Sequence, residues 1–178
     1  LNSFELTGQA GADNHFNSRW LLGQKLTLDR AIWAADSKTL PPLPEQSGVE
    51  LNMPPMNGAE WLALFQKGAA ESVGGAASFP QHITLRTPML SLGNQQWNNL
   101  SIVSQPTANG TLVEAQGREI NATLAMRNNA PWLANIKYLY YNPSVAKTRG
   151  DSTQSSPFPT TERINFRGWP DAQIRCAE

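Results

Sequence analysis

Two histidines and one cysteine are the residues of this 178-residue chain best suited to bind a metal or attack a substrate. His15 and His82 lie far apart, and neither stands in a metal-ligand spacing such as a helical histidine pair. Cys176 has no second cysteine for an internal disulfide or a cysteine-based zinc site. Surface or structural histidines and a small buried thiol are therefore the interpretations we favour, with no metal and no cofactor.

Acidic side chains offer a second possible chemistry, because two carboxyl groups suffice for glycoside hydrolysis. Glu114, Glu119 and Glu162 could converge in the fold. A solvated or hairpin-paired carboxylate is nevertheless the better interpretation of each. The chain also has no nucleophile elbow, phosphate-binding loop or dinucleotide fingerprint. The sequence thus predicts that this chain is not an enzyme.

Tryptophan offers large apolar area with one polar atom, and its six copies are spread along the chain. Three interpretations stay open: core packing, an apolar ligand surface, and stacking against sugars in a carbohydrate-binding module. The residues concerned are Trp20, Trp33, Trp61, Trp97, Trp132 and Trp169.

Composition narrows the classes of partner. Charged residues make up only 16%, and 14 basic residues balance 14 acidic ones. A nucleic-acid-binding domain would carry a basic surplus, so no nucleic-acid partner is expected. No apolar run reaches the roughly 18 residues of a membrane span, and no signal peptide is visible. The chain begins at Leu1 and ends just after strand-like residues, so we expect a section of a longer protein.

Alternating apolar and polar residues predict at least eight strands, arranged mainly as an antiparallel meander. The clearest strand covers 120–126, where Ile120, Ala122, Leu124 and Met126 alternate. Turns are predicted at Asn109-Gly110, Gly117-Arg118 and Asn128-Asn129, from residues that tolerate positive φ. Breaks are expected at Gly23-Gln24 and Asp29-Arg30, and a bulge or an edge near Pro88.

One principal helix is predicted to begin near Asn57, because Glu60 follows three residues later in a capping-box pattern. Residues 36–48, with Pro41, Pro42 and Pro44, are expected to form an exposed, flexible connection. A second flexible loop is expected over 144–162, which has little apolar content. The whole of 1–178 is predicted to be one fragment of a longer β-rich domain.

Three sequence runs resemble the AsmA-like family of bacterial envelope proteins. They are Leu90 to Leu100, Ala115 to Ile120 continuing through Pro131-Trp132 to Pro143, and Phe166 to Pro170 with Arg175-Cys176. The resemblance is densest over 82–143 and 163–178. The resemblance rests on short strand and turn sequences, and it provides no catalytic residues to assign to this chain.

The resemblance implies a section of a large Gram-negative protein that is anchored in the inner membrane and extends through the periplasm. The family fold resembles a long β-sheet folded over like a taco around an apolar groove. The family is implicated in moving phospholipids to the outer membrane and in maintaining its barrier. Expected partners are phospholipid acyl chains and possible other envelope proteins, with membrane contact through parts outside this chain.

The apolar face of the 82–141 strands is the predicted lipid groove. Its candidate residues are Ile83, Leu85, Leu100, Ile102, Val113, Ala115, Ile120, Ala122, Leu124, Trp132, Ile136 and Tyr138. The helix residues Trp61, Leu62 and Phe65 are expected to cover the opening. The same alternation would also build a closed β-sandwich, as a structural or carbohydrate-binding module. Access to the inward face of 120–140 separates the two.

Overall fold

All strands in the described part of the chain belong to one open β-sheet. The computed structural model describes residues 2–60, 77–78, 80–143 and 173–176. The sheet order is β1-β2-β3-β4-β7-β8-β9-β10-β11-β12, with β5 beside β7 and β6 beside β3. The strands are β1 Asn2–Ala10, β2 Asn14–Leu22, β3 Leu26–Ala34, β4 Gly48–Asn52, β5 Met56–Asn57, β6 Ala77–Ser78, β7 Ile83–Leu92, β8 Gln95–Thr107, β9 Gly110–Gln116, β10 Ile120–Arg127, β11 Leu133–Leu139 and β12 Gln173–Cys176.

The three turns predicted from sequence are confirmed, and they join β8 to β9, β9 to β10 and β10 to β11. Asn129 adopts φ 58°, a left-handed conformation that asparagine tolerates. Gly110 has to be glycine, because a Cβ atom there would collide with the Met126 carbonyl oxygen. Local turn chemistry therefore fixes the antiparallel order of β8 to β11.

The predicted antiparallel meander is wrong in the middle of the sheet and at one edge. β4 pairs parallel to both β3 and β7, and β12 pairs parallel to β11. Residues 35–47 join β3 to β4, and residues 53–82 join β4 to β7. Connections of this length return the chain to the end where the previous strand began, so the next strand runs in the same direction. The sheet is consequently mixed.

β4 and β5 behave as one interrupted strand beside β7. Val49 pairs with Ile83 and Met56 pairs with Leu90, so both short strands keep the same offset. Between them, Pro54-Pro55 lacks the N–H groups that a continuous ladder needs. Thr87 Oγ1 instead donates to the Pro54 carbonyl oxygen at 2.9 Å.

Two irregularities expected from sequence have a different form in the structure. β3 runs through Asp29-Arg30, and its register with β2 shifts there as a bulge. β7 runs through Pro88 with an unshifted register, and the distortion lies on its partner strand, where Asn99 has φ 49°. The break predicted at Gly23-Gln24 is confirmed as the turn between β2 and β3.

The predicted helix begins where expected. Residues 58–60 are helical, and Asn57 Oδ1 accepts the backbone N–H of Ala59 at 3.1 Å. Asn57 Nδ2 also donates to Glu60 Oε1 at 3.4 Å. Glu60 thus bonds the Asn57 side chain, whereas in a standard capping box it would accept the Asn57 backbone N–H. The rest of the predicted helix, with Trp61, Leu62 and Phe65, and the predicted loop 144–162 lie outside the described residues.

Residues 35–47 form an irregular connection that is tied to β2 and β3. Asn17 Nδ2 donates to the Pro41 carbonyl oxygen at 3.2 Å, and Arg30 donates to that of Pro44 at 3.1 Å. Ile32 and Ala34, which share a face with Asn17, are each only 7% exposed. The connection predicted as an exposed loop is thus anchored to the sheet; its flexibility stays a prediction.

A buried carboxylate links three parts of the sheet near the β9–β10 turn. Glu119 is 4% exposed and accepts the Asn98 backbone N–H (2.6 Å), Asn98 Nδ2 (2.7 Å) and Asn142 Nδ2 (2.9 Å). Burial alone raises the pKa of this carboxyl, but the hydrogen bonds from Asn98 and Asn142 outweigh it and hold the pKa below its ordinary value. Charged Glu119 therefore holds β8, the turn and the residues after β11 together.

Replacing Glu119 by Gln should lower the free energy of unfolding by about 1–3 kcal/mol, because an amide N–H₂ would face donors in place of an acceptor. Urea denaturation of the purified chain measures this. Glu114→Gln is the matched control, since Glu114 lies on β9 away from this cluster, and it should change stability by less than about 0.5 kcal/mol. Equal effects of the two substitutions would contradict the assigned role.

Acid should weaken the same cluster. A carboxyl with a lowered folded-state pKa adds stability that is complete above its unfolded pKa and is lost as pH falls through the folded value. Stability should therefore hold at neutral pH and decline below about pH 4.3, the ordinary pKa of glutamic acid. Denaturation at several pH values tests this, and the Glu119→Gln variant should show a smaller decline than the parent chain.

Candidate functional site on one face of the sheet

An unbroken row of apolar residues crosses the sheet from β1 to β11. Each member is the direct Cα partner of the next, so the register itself places all of them on one face. We call this face the apolar face. The row consists of Gly8, Phe16, Trp33, Leu51, Leu85, Ile102, Ala115, Ala122 and Ile136.

A second row runs parallel to the first, two residues away along each strand, and it is apolar apart from two serines. It consists of Leu6, Ser18, Ala31, Val49, Ile83, Ser104, Val113, Leu124 and Ala134. Ser18 Oγ donates to the Leu6 carbonyl oxygen at 3.1 Å and accepts Trp20 Nε1–H at 3.1 Å. This hydroxyl is therefore satisfied within the protein.

The opposite face of the sheet is mainly polar. The row between the two just described consists of Thr7, Asn17, Ile32, Glu50, Thr84, Val103, Glu114, Thr123 and Asn135. All members except Ile32 and Val103 are polar. Two ion pairs lie on this polar face, Arg19–Glu5 at 2.8 Å and Arg86–Glu50 at 3.8 Å. The sheet is thus amphipathic through nine paired strands.

The apolar face has no second layer of strands over it in the described part of the chain. Every residue of the first row is half-buried, and in the second row Leu6 and Ile83 are 49% and 40% exposed. Among the described residues no large side chain is completely buried. The alternative of a closed two-sheet sandwich is wrong for these residues, because all their strands join one sheet.

Ten of the twelve candidate residues lie on the apolar face by register, although nothing yet tests whether they contact lipid. They are Ile83, Leu85, Leu100, Ile102, Val113, Ala115, Ile120, Ala122, Leu124 and Ile136. Trp132 precedes β11 and lies outside the strands. Tyr138 pairs with Asn121 on the polar face, because an extra residue, Lys137, shifts the register of β11. Its hydroxyl donates to the Gly117 carbonyl oxygen at 2.7 Å.

The apolar face also includes aromatic residues of β1 to β3 that sequence reasoning did not assign to it. Phe4 stacks on Trp20 with ring centroids 6.5 Å apart, and Phe16 stacks on Trp33 at 6.0 Å. Gly8 makes room for Phe16, since a Cβ atom there would collide with its ring. The alternation of Phe16, Ser18 and Trp20 was a signal for this strand face. Trp20 and Trp33 each stack on a phenylalanine ring, and the carbohydrate-binding alternative would instead predict two or more coplanar tryptophan rings on an exposed face.

The candidate chemical residues do not come together in the described part of the chain. Glu119 is occupied by Asn98 and Asn142, and Glu114 lies on the polar face of β9. His15 and His82 belong to no group of three or more potential metal ligands among the described residues. Glu162 lies outside those residues. The arrangement therefore offers an extended apolar surface as its main functional feature.

Comparison with known families gives the family of the chain. A family model described as YhdP protein matches residues 1–178 of the chain. The chain belongs to the YhdP protein family. Among the AsmA-like proteins, the three sequence runs resemble YhdP most closely, and the family match confirms that resemblance.

A YhdP relative from Escherichia coli (strain K12), described as an intermembrane phospholipid transporter, is 99% identical over 178 residues. The match covers 100% of this chain and 14% of that YhdP protein, so the chain spans about a seventh of its relative's length. No solved structure matches this YhdP-family chain. Within the described residues, no helix combines the length and the apolar character that crossing a bilayer requires.

An uncovered apolar face predicts fast chemical labelling from that side. In a Cys176→Ser background, Ala122→Cys should react with a water-soluble maleimide at least about tenfold faster than Ile32→Cys, because labelling at Ile32 requires local opening. Thr123→Cys, on the polar face of the same strand, gives the rate for an open position. Slow labelling of Ala122→Cys beside fast labelling of Thr123→Cys in lipid-free protein would show that something covers the apolar face.

Proposed function

We propose that this chain is one section of a conduit that carries phospholipid between the two membranes of the Gram-negative envelope. Its apolar face would bind acyl chains, and the sheet would curve into a taco-like groove around them. The single observation that carries the proposal is the uninterrupted apolar row from Gly8 to Ile136. The printed function of the 99% identical relative, phospholipid transport between membranes, supports the same conclusion.

The length of the row suits a path better than a pocket. Neighbouring strands lie about 4.8 Å apart, so eight spacings carry the row over roughly 38 Å. Polar turns at both ends of the strands limit the apolar surface in the other direction, for example Gly117-Arg118 at one end and Asn128-Asn129 at the other. A bound lipid therefore stays on apolar surface only when it moves across the sheet from strand to strand.

The energetics favour loose binding along that path. Burying one CH₂ group contributes about 0.8 kcal/mol, so a 16-carbon chain gains at most roughly 12 kcal/mol before entropy and headgroup costs. Neither row contains a charged residue, and the Ser18 hydroxyl is already hydrogen-bonded. A surface with little directional bonding lets an acyl chain slide with small energy differences between successive positions.

Several features of the proposal concern the whole protein. We place this chain in the periplasmic part of an inner-membrane-anchored protein, with membrane contact made by other parts. The function is transport and barrier maintenance without catalysis. The relative's description as an intermembrane phospholipid transporter supports the transport part of this proposal. The helix that begins after Asn57 is proposed to cover the groove through Trp61, Leu62 and Phe65.

Leu124 and Thr123 provide a matched test, because they are neighbours on β10 with opposite faces. Leu124→Asp should leave the chain folded, since the half-buried site lets the new charge reach water, and it should abolish phospholipid transport by the full-length protein in cells. Thr123→Asp should retain transport. Circular dichroism of the chain and a cellular assay of outer-membrane lipid supply measure the two effects.

Photo-crosslinking gives the direct readout. A photoreactive amino acid at Leu124 of the full-length protein should capture phospholipid in living cells, and one at exposed Lys137 should capture much less. Unfolding of Leu124→Asp together with equally low capture at both positions would refute the conduit and leave a purely structural role.

A further inference from the structure

The end of the sheet near the β9–β10 turn presents an unusual set of exposed residues. We call it the β11 rim and define it as Gly117–Glu119 with Leu139–Asn142. Leu139, Tyr140 and Tyr141 are 45%, 61% and 69% exposed. Leu139 is the Cα partner of Ile120, so it continues the apolar face to the very end of the strands. The apolar face therefore ends at Leu139, with exposed Tyr141 two residues further on, whereas the ring of Tyr140 stacks on Tyr138 of the polar face with centroids 5.4 Å apart.

The backbone of this segment is held firmly even though its side chains are exposed. Tyr140 N–H donates to the Glu119 carbonyl oxygen at 2.7 Å, and its own carbonyl oxygen accepts Gln95 Nε2 at 3.1 Å. Asn142 N–H donates to Gln95 Oε1 at 3.0 Å, and its carbonyl oxygen accepts Gln96 N–H at 2.9 Å. Exposed aromatic groups on a fixed backbone lose little entropy when they bind a ligand.

The same rim carries a positive charge that the protein leaves available. Arg118 is exposed and forms no ion pair within residues 2–60 and 80–143. Its sequence neighbour Glu119 does not neutralise it at the surface, because that carboxylate is buried and bonded to Asn98 and Asn142. Arg118 lies one residue from the backbone hydrogen bond that joins Glu119 to Tyr140.

The opposite end of the same strands is different. The turns there contain Asn109, Asn128 and Asn129. Arg127 is the cation of that end in β10, but its Nε and Nη2 atoms donate to the Pro131 carbonyl oxygen at 2.9 and 2.6 Å. One end of β8 to β11 thus offers a free guanidinium with tyrosines, and the other offers neutral turns with a guanidinium already bonded.

We propose that the β11 rim binds the phosphate and glycerol-ester end of a phospholipid whose acyl chains lie on the apolar face. This inference rests on the proposed lipid-carrying function and adds an orientation to it. Arg118 would bind the phosphodiester through charge-assisted hydrogen bonds, as guanidinium groups do. Tyr141 would lie at the ester level, where a ring with an apolar body and a polar tip is favoured. Leu139 and Ile120 would contact the first methylenes.

Strand length agrees with this orientation. β10 has eight residues, which span roughly 26 Å from the β11 rim to the Asn128-Asn129 turn. Acyl chains that start at Ile120 would run past Ala122 and Leu124 towards Met126. Each lipid would keep its headgroup at one rim while it moves sideways from strand to strand.

Two photoreactive phosphatidylglycerol analogues test the orientation on the purified full-length protein. One carries a diazirine beside the phosphate, and the other carries it at the end of an acyl chain. Mass spectrometry then locates the labelled residues. The phosphate-proximal probe should label Arg118 and Leu139–Asn142, and the chain-end probe should label the region around Met126 and the turn after it.

Arg118→Gln and Arg127→Gln form the matched pair of variants. Arg118→Gln should reduce labelling of the β11 rim by the phosphate-proximal probe about three- to tenfold, the effect of losing a charge-assisted hydrogen bond at an exposed site. Arg127→Gln should leave that labelling unchanged. Soluble glycerophosphate at the same concentration should compete poorly, because it lacks the chains that bind the apolar face.

The outcomes separate this inference from the proposed function. Labelling of both rims alike by the phosphate-proximal probe, or insensitivity to Arg118→Gln, overturns the orientation while capture at Leu124 still supports the conduit. Strong competition by glycerophosphate would show a free-phosphate site and also overturn the proposal. Absence of labelling anywhere on the apolar face, by either probe, removes the lipid conduit itself.

Discussion

Strand register is the constraint on which the rest of this structure depends. Side chains alternate between the two faces of a strand, so a slip of one residue in any ladder would exchange apolar and polar sides. Here nine neighbouring strands stay in phase, although some ladders are parallel and others antiparallel. The shifts at Asp29 and Lys137 fall outside the two apolar rows. Both rows therefore cross the sheet without a fault.

The described residues that cover the sheet lie against its polar face and leave the apolar face without a second layer. An apolar sheet face ordinarily packs against another layer, and a polar face is left to water. In the described residues, the anchored connection 35–47 binds next to Asn17 and Arg30, which belong to the polar face. The apolar face keeps half-buried side chains throughout its first row. Such a surface is costly unless a ligand or another element occupies it, which is the physical reason for proposing an acyl-chain partner.

Sequence predicted the local features of the fold well. The turns at Asn109-Gly110 and Asn128-Asn129 follow from residues that accept unusual φ, and the face of Ile120, Ala122 and Leu124 follows from strict alternation. The parallel pairing of β4 was not predictable, because strand direction depends on where a long connection returns. No sequence signal around Lys137 indicated that β11 contains one residue more than its partner β10 at this point. Tyr138 was therefore assigned to the wrong face.

The candidate site was predictable in part for the same reason. Ten candidate residues share the apolar face, since alternation alone decides which side they take. The aromatic pairs Phe4–Trp20 and Phe16–Trp33 depend on cross-strand partners that are distant in sequence, so they emerged only from the fold. The role of Glu119 likewise required its neighbours, because Asn98 and Asn142 meet it from two other segments.

The interrupted strand β4–β5 has a mechanical consequence. β4 has five residues and lies between β3 and β7, which have nine and ten, and the two-residue β5 pairs with β7 alone. Two broad antiparallel blocks are thus coupled through a narrow join, which Pro54-Pro55 weakens further by removing backbone donors. Twisting meets the least resistance at such a join, because fewer ladder hydrogen bonds hold the two blocks together there. A twisting force on the sheet would therefore deform this join before it deformed β7 to β11.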